Sequence, residues 1–171
     1  MRWMWIDNII SHEPGKSMAA VKNLSLSEEH LHDHFDGSDG LPSLSVMPAS
    51  LIIEGMAQTA GLLVGSVNRF KEKVILAKIK RVEIEEDSYP GQCLRYEAEI
   101  DRMDTGGAST SGVVSRLDHR EGIWREIGQI DLMFSHIDNN MAGQDFPEDN
   151  FVFGENFHSL LRLSGMDSFI E

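Results

Sequence analysis

Between Val46 and Gly65 the chain reads VMPASLIIEGMAQTAGLLVG, and this stretch constrains the fold more than any other. Read as a helix, it carries apolar residues on every side (Leu51, Ile52, Ile53, Met56, Ala57, Ala60, Leu62, Leu63, Val64). A helix apolar all round has no face to give to water, so it is expected as a buried rod with the remaining chain wrapped about it. Pro48 suits a first turn, where its missing N–H costs nothing. The small residues Gly55, Ala57, Ala60, Gly61 and Gly65 let other backbone come close, at a loss of helix propensity. Only Ser50, Glu54 and Gln58 are conspicuously polar, and spacing of four stacks them on one face. A lone buried carboxylate is expensive, so Glu54 is expected to be paired, neutralised or employed. A carboxyl satisfied at a helix contact and a catalytic acid both fit that pattern.

A chain of 171 residues supports one substantial core and falls short of two ordinary domains. Its uninterrupted apolar runs fall well below the roughly 20 residues needed to cross a bilayer, so a soluble protein without a membrane span is expected. The start, MRWMWIDNII, is broken by Asp7 and Asn8 and does not resemble a secretion signal. A single cysteine, Cys93, allows no disulfide framework and fits a reducing cytoplasm. The formal charge of −13 argues against nucleic acid as a partner. Six of the fifteen basic residues nevertheless fall between Arg69 and Arg81 (Arg69, Lys71, Lys73, Lys78, Lys80, Arg81). On so acidic a protein this is the natural surface for an acidic partner.

Residues 3–10 and 16–24 are short apolar-rich segments separated by Glu13-Pro14-Gly15-Lys16, which predicts a first pair of strands. After the central helix the period becomes two. Leu94, Tyr96, Ala98 and Ile100 alternate with charged residues, and Ile130, Leu132 and Phe134 alternate with Asp131 and Met133. Turn clusters at 87–91, 104–107 and 119–122 divide residues 73–136 into about four strands. The expectation is an α+β domain over residues 1–137, a long antiparallel sheet around one buried helix. From Asp138 the chain turns polar and acidic, and 138–171 is expected to be a linker and a short amphipathic helix added to a complete domain.

The residues leading into and along the helix carry a motif: His34-Phe35, then Val46-Met47-Pro48, Leu51, Glu54 and Ala57-Gln58. They resemble HFPGxPVMPGxLxxExxAQ of the FabA/FabZ-type 3-hydroxyacyl-[acyl carrier protein] dehydratases. Asp7 to Lys16 (DNIISHEPGK) is similar to that family's opening DRVLxxEPGK, and Tyr89-Pro90-Gly91-Gln92 to the turn before a long strand. The resemblance covers about residues 3–136. It implies the hotdog fold, a homodimer as the least unit, acyl carrier protein as partner, and neither metal nor organic cofactor. The chain departs from the motif at Asp36, at Ala49 and in a longer span from His34 to Glu54. Lengthening that loop by six residues costs only about 0.3 kcal/mol in closure entropy.

Loss of water from a 3-hydroxyacyl thioester needs a base for the α-proton, an acid for the departing hydroxyl and donors for an enolate-like oxygen. A neutral His suits the first role near neutral pH, and His34 is assigned to it. A carboxyl kept protonated by apolar surroundings suits the second, and Glu54 takes it. Outward N–H groups at the helix start, around Ala49, serve the third. Gln58 is a candidate to orient Glu54, or simply a core amide. Lys78, Lys80 and Arg81 are the expected carrier-binding residues. Three further readings compete. In a hotdog thioesterase, Glu54 would activate water. A binding module would hold acyl chains or carrier protein without chemistry. His30, His32 and His34, alternating along an extended strand, would share one face as zinc ligands do.

Overall fold

A computed structural model describes residues 4–32, 37, 38, 40, 42–137 and 152–166. The first hairpin pairs β1 (Asn8–Glu13) with β2 (Ser17–Asn23) through a turn in which Gly15 takes φ 71°, a left-handed value that a side chain would resist. β1 begins later than the apolar pattern predicts. The reason is local: the Trp5 N–H is donated to the Gln58 side chain at 2.9 Å, so this segment is tied to the central helix instead of extending the strand.

α1 (Glu29–His32) follows directly. Residues two apart on a helix do not share a face, so the extended three-histidine array fails over His30 and His32. Among the described residues no group of His, Cys, Asp or Glu has the geometry to hold a metal ion. His34 and the loop residues 33–36 lie outside the described residues.

α2 (Ala49–Val67) is the central rod. It starts later than Val46 because Pro48, at φ −59° and ψ 133°, is extended and acts as N-cap, its carbonyl accepting the N–H groups of Leu51 and Ile52. Met47 instead donates its N–H to the Ser88 carbonyl at 2.8 Å. The wrapping is also less complete than expected. From Gly55 to Ser66 the helix is buried, but in its first two turns only Ile52 is, with Ala49 and Ser50 exposed and Leu51, Ile53 and Glu54 half-buried, so the chain leaves one side of those turns uncovered.

Four long strands complete the sheet: β3 (Val74–Ile84), β4 (Cys93–Asp104), β5 (Gly107–Asp118) and β6 (Ile123–His136). All neighbours are antiparallel, in the order β1-β2-β4-β5-β6-β3. The alternation read from the sequence is the alternation of burial: Leu94, Tyr96 and Ala98 face α2, as do Ile130, Leu132 and Phe134. Helix and sheet interlock by exchanging large for small. A Cβ at Gly55 would lie 2.4 Å from Tyr96 Cζ, and one at Gly112 of β5 would lie 2.5 Å from Met56 Sδ. This is the hotdog arrangement, a curled antiparallel sheet around a single long helix.

The two sheet edges are treated differently. At β1, Ser164 accepts the Ile9 N–H at 3.0 Å and donates to Asn8 Oδ1 at 2.9 Å, so the segment after α3 (Glu155–Leu163) occupies the edge. β3 has no such cover from the described residues and stands as an open edge of 11 residues. The C-terminal segment also enters the core: Phe153, Leu160, Leu161 and Met166 belong to the same buried cluster as Leu62 and Leu63 of α2.

Candidate active site

The polar stripe of α2 passes from solvent to core, with Ser50 exposed, Glu54 half-buried and Gln58 buried. Gln58 Nε2 donates to Glu54 Oε1 at 3.0 Å, the spacing of four that sequence predicts for neighbours on one helix face. The amide of Gln58 cannot be turned round. Its Oε1 accepts the Trp5 N–H, and a backbone N–H can only donate, so the NH₂ is directed at Glu54. Oε1 of Glu54 thereby accepts from this amide. Glu54, Gln58 and the Trp5 backbone, which no sequence signal marks, are thus linked by consecutive hydrogen bonds.

Glu54 and Gln58 lie on the wall between two cavities. One, of about 250 Å³, runs beside α2 and is lined by Ala57, Gly61, Leu62, Leu76, Phe134 and Phe153 among others. The second, of about 300 Å³, is bounded by Met4, Gly154, Glu155 and Asn156. Val152 and Phe157 border both. A carboxyl between an apolar and a more polar compartment can act on the middle of a ligand whose ends differ in polarity. Phe153 and Phe157 are expected from sequence to cover apolar surface; that they wall the cavities beside Glu54 is not legible there, because nothing in the acidic tail marks where it docks.

At the helix start, Ala49 is exposed and no side chain caps the first turn. First-turn N–H groups have no partner within their own helix, and the positive end of the helix dipole lies there. The Ala49 and Glu54 backbones are separated by about 7.5 Å of helical rise. Lys78, Lys80 and Arg81 all fall on β3 and are exposed. Arg81 pairs with Glu83, which holds that carboxyl below its usual range. Lys78 borders a shallow concavity of about 470 Å³ on the outer surface, with Arg102 on its other side. His30 packs edge-on against Trp5, ring centroids 4.6 Å apart, next to the Gln58 anchor. The structure therefore brings Glu54, Gln58 and the opening of α2 together, and sets the basic residues apart on the open edge.

Comparison with known proteins agrees with this fold. The FabA-like domain family matches residues 2–117. The 3-hydroxyacyl-[acyl-carrier-protein] dehydratase FabZ of Ruminiclostridium cellulolyticum is 36% identical over 99 residues, 57% of this chain and 66% of its own length. The enzyme of the same name from Clostridium tetani is 29% identical over 130 residues, 75% of this chain and 83% of its own. This chain thus spans about two thirds of the first of these relatives and more of the second. Among solved structures, a thioesterase family protein from Silicibacter pomeroyi superposes with TM-score 0.57 at 12% identity, covering 75% of this chain and 82% of that one. A Streptococcus mutans protein bound to acetyl CoA gives 0.55 at 10%, over 75% and 86%. At such identities these structures establish the fold alone.

Proposed function

The chain belongs to the FabA-like domain family, and from that premise we propose that it removes water from a 3-hydroxyacyl thioester carried on acyl carrier protein, giving the trans-2-enoyl thioester of fatty acid or related acyl-chain biosynthesis. The observation that carries this reading is the carboxyl of Glu54, hydrogen-bonded to Gln58 beside an apolar cavity. In the proposed reaction His34 takes the α-proton. The electron pair forms the carbon–carbon double bond while the thioester oxygen gathers negative charge, which the N–H groups around Ala49 stabilise. Glu54 delivers its proton to the 3-hydroxyl, which departs as water.

The unit that performs this is a homodimer in which His34 of one copy works with Glu54 of the other. Three observations support it: the uncovered side of the first turns of α2, the open edge of β3, and the aliphatic residues Leu76, Ile79 and Val82 on that strand, exposed at 39%, 46% and 36%. These three pair with Phe134, Leu132 and Ile130 of β6 and therefore share the face that packs on α2. A two-fold axis at β3 would set the strand antiparallel to itself and bring two copies into one sheet. Lys78 and Arg81 pair with Met133 and Asp131 and so lie on the opposite face, where they are left to receive the acidic carrier, with the exposed Lys80 between Ile79 and Arg81 beside them in the chain. A cytoplasmic location is consistent with the lone thiol of Cys93. α2 is long and apolar enough to cross a membrane, but 78% of that span is buried within the fold.

Incubation of the protein with a 3-hydroxyacyl carrier thioester tests the reading. Formation of the enoyl product is expected; release of free thiol without it identifies a thioesterase, and neither product identifies a binding module.

A further inference from the structure

The family match ends at residue 117, yet Val152, Phe153 and Phe157 line the apolar cavity beside α2, together with Val74, Ile75 and Leu76 of β3 and Phe134 of β6. The cavity follows the helix from Glu54 to Gly61 and Leu62. One turn beyond Gly61 it meets Phe153, whose ring is seated on Gly65: a Cβ there would lie 2.6 Å from Phe153 Cζ. The ring is also held edge-on between Phe70, at 4.9 Å, and Phe157, at 6.0 Å between centroids. Phe153 is buried and belongs to the core cluster, so it is a fixed stop rather than a loose flap.

Resting on the dehydratase reading, we propose that Phe153 is the specificity-determining residue for acyl-chain length, the C-terminal segment closing the acyl site so that it takes medium chains and rejects long ones. From Glu54 to Gly61 the helix rises about 10 Å. An extended alkyl chain with bonds of about 1.5 Å advances roughly 1.3 Å per carbon, so about eight carbons, counted from C3 beside Glu54, fit along this stretch, an acyl chain of about ten carbons. The second cavity, on the other side of Glu54, then takes the thioester arm, whose amides suit the more polar border at Glu155 and Asn156.

The test compares kcat/KM for 3-hydroxydecanoyl and 3-hydroxypalmitoyl carrier thioesters in the natural protein and in Phe153→Leu and Phe153→Ala. The natural protein is expected to prefer decanoyl. Both substitutions should raise the palmitoyl-to-decanoyl ratio, by about tenfold or more for Phe153→Ala, since each methylene gained or lost in an apolar pocket changes selectivity by roughly ten- to 200-fold. A ratio unmoved in a folded variant overturns the proposal. Should neither variant fold, Gly61→Ala decides. A Cβ at Gly61 meets only Phe134 Cε1, at an ordinary 3.5 Å, so the methyl fits and narrows the cavity. Preference should then move from 3-hydroxydecanoyl towards 3-hydroxybutanoyl, and no movement refutes the assignment. If the natural protein dehydrates none of these substrates, the dehydratase reading falls by itself. The acyl stop is then read by calorimetry with decanoyl- and palmitoyl-pantetheine, where Phe153→Leu either shifts affinity towards the longer chain or disproves the stop.

Discussion

At Gln58 one side chain connects the backbone of the amino-terminal segment to the candidate catalytic acid, and its removal has separable consequences. Gln58→Leu strands the Trp5 N–H and should cost about 1–3 kcal/mol of stability, measured by denaturant unfolding. It also releases Glu54 from its single orientation, so kcat should fall by about tenfold or more while KM changes little; a loss confined to KM would place Gln58 in ground-state binding instead. Glu54→Gln removes the transferable proton outright and should lower kcat by roughly 10²- to 10⁴-fold with the fold intact. Tyr96 offers a contrast. Its hydroxyl is fully buried with no partner among the described residues, and burial drives its ionisation far above the ordinary phenol range. Tyr96→Phe should therefore leave stability unchanged or raise it by up to about 1 kcal/mol, because the unmade hydrogen bond is a cost that the phenyl ring does not carry.

Between elements, the strongest coupling is the interlock of α2 with β4 and β5. Gly55→Ala drives a methyl into the Tyr96 ring and should destabilise by about 1–3 kcal/mol, with Tyr96→Leu restoring much of the loss in the double variant; strict additivity would show that the contact is not the cause. A second junction is ionic. Lys22 of β2 is buried and reaches Asp7 at 3.1 Å and Glu28 at 2.7 Å. Burial alone would push the Glu28 carboxyl up, but the bonds from Lys22 and the Ser25 N–H outweigh it and the net shift is downward. A carboxyl lowered on folding contributes stability that is present above its ordinary value of 4.5 and lost as pH falls through the folded value. Thermal unfolding should therefore show a loss below about pH 4.5 that Glu28→Gln diminishes. Burial lowers the Lys22 ammonium and its two carboxylates raise it by more, so its contribution persists until pH climbs past 10.5. The six strands and the buried helix were legible because period-two alternation and an all-apolar run report burial directly. The site was legible only where residues share one helix face, as Glu54 and Gln58 do. Trp5 acts through a backbone atom, which has no sequence signature, and His30 and His32 entered a short helix because turn-scale hydrogen bonds, such as Leu31 N–H to the Glu28 carbonyl at 3.0 Å, override a two-residue pattern.

For the whole molecule, the division of the chain at 137/138 is a proposal about folding. Without residues 138–171 every strand pairing survives, but Gly65 and Phe70 lose Phe153, and the core loses Leu160 and Leu161. The truncated chain should keep its β-sheet signal in circular dichroism while its Tm falls by several degrees, about 1 kcal/mol for every 2–4 °C in a chain of this size; an unfolded product would make the tail part of the domain. The open β3 edge leads to the last expectation, which concerns how the two proposed catalytic groups are shared. If His34 of one copy works with Glu54 of the other, inactive His34→Ala and inactive Glu54→Ala proteins should rescue one another when mixed. With random exchange at equal ratio about half the dimers are mixed. In each, one site collects both lesions and the other neither, so activity should return to about a quarter of the natural value for independent sites. Where both groups act within a single chain, every site keeps one lesion and mixing restores nothing. Lys78 and Arg81 lie on the outer face of β3, so their reversal to Glu should raise KM for carrier-bound substrate and leave this rescue intact, whereas Ile79→Glu, on the face shared with α2, should abolish it by preventing pairing. Rescue that survives Ile79→Glu would move the interface away from β3.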